Sequence, residues 1–316
     1  MAHPHPASAP TASPAIMAGT ASPLSEASPQ PPSLDEAYAY CSACARRHYE
    51  NFPVGSWLLP RRLRPAVHAV YAFARHADDF ADEPEHEGSR LQALDGWQRH
   101  LERAQCGDAS HPVFVALADT LQRYRLPLQP FRDLLTAFRM DARRTHYESW
   151  EQVLGYCRYS ANPVGRIMLR LFGHDEADCD RLSDYLCTAL QLTNFWQDLS
   201  VDLPRGRCYL PRRDLERQGL AEGDLQLPGI VPARRRILAA VSDRTRDLYE
   251  EAGPLPARVG GRLAWELRAI VAGGERILEK VVSGSQDPFR NRPRLGREDA
   301  LPLLRAMFGR RRRPTA

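Results

Sequence analysis

The sequence predicts an all-α fold, and three observations carry that prediction. Beyond the first 34 residues, apolar side chains recur at spacings of three and four, the period of a helix that buries one stripe. Gly and Pro mostly separate these periodic segments, and no run shows the strict alternation of a half-buried strand. No self-similarity at solenoid periods is visible, so the segments are expected to pack as one bundle.

The elements follow in order. The first expected helix, 35–49, lies in DEAYAYCSACARRHYE, where Cys41 and Cys44 read as small buried thiols because no second ligand pair for zinc follows nearby. Segments 65–83 and 112–124 open on Pro65 and Pro112, residues tolerated in a first turn because its N–H groups have no intrahelical partner. Segments 88–105 and 128–144 carry the same period. Segment 150–172 contains Pro163, which predicts a kink or break. The longest segment, 176–202, is closed by Pro204, Gly206 and Pro211 in a structured loop. Segments 231–252, 258–282 and 298–307 complete the series.

Length and composition bound the class. With 316 residues, 43% hydrophobic and 26% charged, the chain has enough apolar material for a large core. Residues 1–34 are mainly Pro, Ala and Ser and are expected to be a disordered leader; 35–309 form the folded domain, and 310–316 an Arg-rich tail. The leader lacks the basic and apolar regions of a secretory signal, and no stretch is long and apolar enough to span a bilayer. Seven scattered cysteines do not make a disulfide framework, which favours a cytoplasmic location. A net charge of +4, almost all from arginine with Lys280 the sole lysine, argues against a nucleic-acid binder. The run Arg310 to Arg313 reads either as a solvated tail or as a peripheral contact with the inner membrane face.

Two acidic stripes carry the chemistry. In AVYAFARHADDFADE, Asp78 and Asp82 are four apart and therefore about 40° from each other on one helix face, with Tyr71 and Arg75 continuing the stripe. In ALQLTNFWQDLSVDLPRGRCYLP, Gln191, Asn194, Asp198 and Asp202 follow a 3, 4, 4 spacing along one side. Leu186 and Leu190 frame this line on one edge, Phe195 and Leu199 on the other, so the polar groups face a cavity rather than bulk water. Carboxylates gathered in such a place are costly without a cation. Mg²⁺, which prefers carboxylate oxygens and is completed by substrate phosphate, meets that need, and Mn²⁺ is able to take its place. Zinc and di-iron fit poorly, since no His, Cys or Glu-x-x-His set accompanies the acids. Tyr71, Phe73, Tyr156, Tyr159, Phe195 and Trp196 are the aromatic rings available to stabilise a carbocation.

At ARHADDFADE, YCRYSANPVG and QLTNFWQDLSVDLPRGRCYLP, with DPFRNRP as a weaker echo, the chain resembles the squalene/phytoene synthase family over about residues 38–292. The resemblance implies an isoprenoid synthase-type helical bundle with a central cavity. It implies Asp78, Asp82, Asn194, Asp198 and Asp202 as the metal set, with Asp78, Asp82, Asp198, Asp202 and Tyr159 catalytic. Asn51, Tyr71, Arg75, Gln191, Arg207 and Tyr209 are the implied substrate contacts.

Departures from the family pattern narrow the expectation. Gln197 stands where typical members have Arg before the first Asp of the second motif. His48, Tyr49, Glu50, Asn51 and Phe52 replace a Ser/Lys-Ser-Phe phosphate-binding stretch. With two cationic contributions gone, a second diphosphate is held poorly. These features, with NFPVGSWLLP and NFWQD, resemble the bacterial hydroxysqualene synthase branch of hopanoid synthesis. The resemblance implies ionisation of presqualene diphosphate and water capture to hydroxysqualene, without NADPH. The alternatives are a complete squalene or phytoene synthase and, from another class, a non-catalytic synthase-like assembly factor. Other enzymes of isoprenoid synthesis are the expected protein partners.

Overall fold

The structure is a computed structural model that describes residues 31–47, 59–143, 146–227, 229–283 and 287–308. A first group of helices comprises α1 (Leu34–Arg47), α2 (Arg64–Asp82), α3 (Arg90–Gln105), α4 (Pro112–Tyr124) and α5 (Gln129–Asp141). Two consecutive helices, α6 (Trp150–Ser160) and α7 (Asn162–Leu171), follow. The second group holds α8 (Ala177–Gln197), α9 (Leu199–Asp202), α10 (Arg212–Glu216) and α11 (Val231–Ala252), then α12 (Leu255–Val259), α13 (Gly261–Ser283) and α14 (Ala300–Phe308). Among the described residues the only extended pairing is a single parallel bridge between His146 and Cys208. The all-α expectation holds.

Each group has its own apolar core. In the first, Trp97 packs edge-on against Phe114 at 4.4 Å between ring centres, and its indole N–H donates to the Phe73 carbonyl at 3.2 Å. In the second, Trp196 is fully buried and donates to Thr245 Oγ1 at 3.0 Å, joining α8 to α11. Helix α7 belongs to both cores, since Ile167 and Leu171 enter the first while Leu169 enters the second. The acidic residues of α2 and those at the end of α8 therefore lie on elements of different cores.

Local chemistry explains where the expected boundaries moved. Helix α1 begins at Leu34, because Ser33 and Glu36 form a reciprocal cap in which Ser33 N–H donates to Glu36 Oε2 at 2.9 Å and Glu36 N–H to Ser33 Oγ at 3.3 Å. The expected leader therefore ran one residue too far at its described end, and residues 1–30 lie outside the described residues. Pro163 breaks 150–172 as expected, at Ala161. The expected helix 258–282 starts at Gly261, after Gly260 at φ 62° ends the short α12. The expected helix 176–202 divides at Asp198, which caps α8 and opens α9. Both Val201 and Asp202 donate their N–H to the Asp198 carbonyl, at 2.8 and 2.9 Å, so Asp198 and Asp202 stay one turn apart across the break.

Helix α13 packs closely because Gly274 has no side chain: a Cβ there would lie 2.1 Å from Tyr249 Oη and 3.0 Å from Leu190 Cδ2. Gly274→Ala is expected to destabilise the fold by about 1–3 kcal/mol through overpacking. In urea denaturation the midpoint falls while the slope stays constant, and Tyr249→Phe in the same chain recovers part of the loss.

Candidate active site

The first wall of the site is the C-terminal half of α2. Its apolar face, with Phe73, Ala77 and Phe80, is buried in the first core, which leaves Tyr71, Arg75, Asp78 and Asp82 on the opposite side. Arg75 bonds Asp78 at 3.1 Å and pairs with Asp79 at 2.5 Å. Burial and the neighbouring Asp82 push the Asp78 carboxyl up to about 6, against the pull of Arg75.

The second wall is the end of α8 with α9 and the loop that follows. Burial and Asp198 push Asp202 up to about 6. Asp198 is raised by burial, an effect opposed by Arg292, which pairs with it through Nε and through Nη2 at 3.1 Å. Gly206 at φ 72° turns the chain after α9, and the Arg207 N–H returns to the Asp202 carbonyl at 3.0 Å. The turn sends the Arg207 side chain across to the first wall, where Nη2 meets Asp82 Oδ1 at 2.5 Å. That bond is the direct tie between the two acidic motifs.

A carboxylate absent from the sequence reading completes the cluster. Asp141, the last residue of α5, accepts the Tyr156 hydroxyl at 3.0 Å, and burial raises its carboxyl to about 7, with Asp82 and Asp78 adding to the rise. Tyr209 lies flat on Phe195 at 3.7 Å and 3°, within electrostatic reach of Asp141, Arg207, Asp202 and Asp82. The bridge between His146 and Cys208 holds Tyr209 here, helped by the Arg212 N–H on the Tyr147 carbonyl at 3.0 Å. Asp141 has no acidic residue three or four positions away in its own segment, so no acidic stripe like those of the two motifs singles it out.

The expected set is thus assembled with exceptions. Asp78, Asp82, Asp198, Asp202, Tyr71, Arg75, Arg207 and Tyr209 are linked by ion pairs or electrostatic contact along the seam, and on α8 Gln191 is half-buried and Asn194 exposed. Tyr159 does not join the acids. It packs on the second core with the Arg158 guanidinium 5.8 Å from its ring centre, and Tyr156, three residues earlier, takes the place beside Asp141. The choice between the two tyrosines turns on which side of α6 meets α5. Of the aromatics considered for a cation, Phe73 and Trp196 are fully buried core, whereas Tyr156 and Phe195 border the cluster. Asn51 and the neighbouring Glu50 lie outside the described residues. Gln197 is buried and donates to the Pro293 carbonyl at 2.6 Å, so it holds the segment that presents Arg292. Arg292, on Asp198, thus immediately precedes in the chain the Pro293 that Gln197 holds.

Among the described residues no three His, Cys, Asp or Glu side chains make a ready-made metal cage. The donor set still fits a hard divalent ion: it is all oxygen, and burial, with neighbouring carboxylates, raises Asp78, Asp141 and Asp202, a cost that a cation would offset. Two clefts, of about 650 Å³ beside Arg276, Lys280 and Glu298 and about 450 Å³ beside Phe80, His86 and Trp97, are lined by none of these acids.

Fold and site together define an all-α synthase of the isoprenoid type, with two acidic motifs facing each other across a helical bundle. A model of the squalene/phytoene synthase family matches residues 45–299, and the chain belongs to that family of enzymes. It is 38% identical over 250 residues to the hydroxysqualene synthase of Rhodopseudomonas palustris, covering 78% of this chain and 83% of that protein. It is 32% identical to the 15-cis-phytoene synthase of Synechococcus elongatus, covering 82% and 88%. Among solved structures, squalene synthase HpnC from Alicyclobacillus acidocaldarius superposes with a TM-score of 0.76 at 42% identity, over 79% of this chain and 95% of that one.

The acidic cluster makes stability depend on pH in an unusual sense. A carboxyl whose folded value lies above the usual 3.8 binds its proton more tightly in the folded chain than in the unfolded one. The stability contributed by Asp78, Asp141 and Asp202 is therefore present at low pH and lost as pH rises through their folded values of about 6 to 7. In metal-free buffer the urea midpoint is expected to fall between about pH 5 and pH 7.5. Asp141→Asn flattens that fall; an unchanged slope in this variant would contradict the assignment.

Proposed function

We propose that the enzyme ionises presqualene diphosphate and lets water capture the rearranged cation, releasing hydroxysqualene and diphosphate. The observation that carries this reading is the pairing of each acidic motif with a guanidinium from elsewhere in the chain: Arg207 on Asp82 and Arg292 on Asp198. Together with Arg75, this is a cation set suited to one diphosphate leaving group rather than two. The similarity to a hydroxysqualene synthase at 38% identity supports the same choice.

On this reading Asp78, Asp82, Asn194, Asp198 and Asp202 hold Mg²⁺, or Mn²⁺ in its place, which supplies neutralising charge for the departing diphosphate. Arg75, Arg207 and Arg292 turn from their carboxylates to phosphate oxygens as the ligand arrives. Tyr71, Tyr156, Phe195 and Tyr209 present ring faces to the allylic cation. Loss of diphosphate leaves a carbocation; addition of water and release of one proton give the alcohol, so no hydride donor and no NADPH enter. All seven cysteines are free thiols, which suits a reducing cytoplasm, and no described helix is long and apolar enough to cross a membrane. Other enzymes of isoprenoid synthesis would deliver the substrate and take the product.

Incubation with presqualene diphosphate and Mg²⁺ is expected to give a C30 alcohol and diphosphate at the same rate with and without NADPH. Phytoene from geranylgeranyl diphosphate, or squalene formed only with NADPH, would replace this reading by a complete head-to-head synthase. Asp78→Asn and Asp198→Asn are each expected to lower kcat by about 100-fold or more while the circular dichroism spectrum is retained.

A further inference from the structure

Residues 287–299 form a strap that carries Arg292 across to Asp198. Its first part is a turn in which the N–H groups of Arg290 and Asn291 both return to the Asp287 carbonyl, at 2.9 and 2.8 Å. Within that turn Phe289 is buried under the Arg234 guanidinium, 5.0 Å from its ring centre. Just beyond Arg292, two successive carbonyls are held by side chains of two helices. Gln197, at the end of α8, donates to the Pro293 carbonyl at 2.6 Å, and Lys280, in the last turn of α13, donates to the Arg294 carbonyl at 3.0 Å. The Arg292 side chain is itself 43% exposed, so the place of its guanidinium depends on the backbone that carries it.

Lys280 is the sole lysine among 43 lysine and arginine residues, and its surroundings show what an ammonium does there that a guanidinium would not. It is buried, and its Nζ meets three oxygens: the Arg294 carbonyl, Glu298 Oε1 at 2.9 Å and Asp299 Oδ2 at 2.6 Å. An ammonium has three N–H groups in tetrahedral directions, so one compact charge serves all three, whereas a guanidinium presents a flat fork. Asp299 is fully buried and also accepts Arg276 Nε at 2.6 Å and the Gly296 N–H at 2.7 Å. Lys280 thus fixes the strap at Arg294 and Asp299, while Phe289 and the Asp287 turn fix it on the other side of Arg292. Helix α13 gives this hold a firm base, since Gly274 lets it lie close against Tyr249 of α11 and Leu190 of α8.

We propose that Lys280 is a positioning residue for the reaction: by holding the Arg294 carbonyl and Asp299, it fixes the strap at the place from which Arg292 reaches Asp198 and the departing diphosphate. The three donors of its Nζ are taken up by the strap, so it acts on the site through Arg292 and not by contact with phosphate. Without Lys280 the backbone two residues from Arg292 loses its hold on α13, and the guanidinium samples positions away from Asp198. The proposal rests on Arg292 as a phosphate contact and not on the choice of prenyl diphosphate.

The test is a double-mutant cycle on the full chain. It is read as the dissociation constant of inorganic diphosphate with Mg²⁺ by titration calorimetry, and as the steady-state constants for the prenyl diphosphate that the parent enzyme turns over. Lys280→Met is expected to weaken diphosphate binding and to raise KM by about tenfold in the parent chain, and to change neither by more than about twofold once Arg292→Ala is present. A loss of stability alone leaves fewer active molecules, which lowers kcat with KM unchanged. Lys280→Met combined with Asp299→Asn, which leaves no buried carboxylate without its ammonium, is expected to give the same pattern and serves if the single variant does not fold. Parent-like diphosphate binding and KM in the folded Lys280 variant, or an equal loss with and without Arg292→Ala, overturns the proposal. Diphosphate binding untouched by Arg292→Ala overturns the reading of Arg292 as a phosphate contact, and the proposal with it.

Discussion

Burial of several carboxylates at the seam between two apolar cores, reinforced by their mutual repulsion, is the constraint on which the rest of this structure depends. Asp78, Asp82, Asp141, Asp198 and Asp202 reach this seam from three stretches of chain, and burial raises four of them, Asp78, Asp141, Asp198 and Asp202, above their usual range. Left alone, such a cluster costs several kcal/mol for each charge withdrawn from water. The chain offsets that cost with guanidiniums held in place by backbone features: Arg207 by the Gly206 turn, Arg292 by the strap, and Arg75 by its position one turn before the first acids.

Several local features make sense as supports for that arrangement. The break at Asp198 ends α8 while preserving the one-turn spacing between Asp198 and Asp202. Gln197 turns inward at the same point and trades a side-chain charge for a hold on the backbone of the strap. The lone bridge between His146 and Cys208 brings Tyr209 flat against Phe195, so an aromatic floor lies next to the acids. The two cores thus act as rigid abutments, and the site is built from helix ends and loops between them.

Much of this was legible in the sequence because it is local. Helical period located the long helices, Pro163 marked a break, and the four-residue spacing of Asp78 and Asp82 placed both on one face. The boundaries that moved did so for reasons with weak one-dimensional signals: a reciprocal Ser33–Glu36 cap, a positive φ at Gly260, and a turn at Asp198 within a continuous apolar pattern. Tyr159 and Tyr156 look alike in YCRYSANPVG, and only the packing of α6 on α5 brings Tyr156 to the acids.

By itself the sequence determined the helical class, the two acidic motifs and the family, since these follow from residue type and spacing along one chain. The tertiary structure alone decided that Asp141 joins the cluster, that Arg207 ties one motif to the other, and that Arg292 supplies charge beside Gln197. Those contacts span 94 residues between Arg292 and Asp198 and 125 between Arg207 and Asp82. No periodicity encodes pairs so far apart; they exist because two separately packed cores meet along one seam.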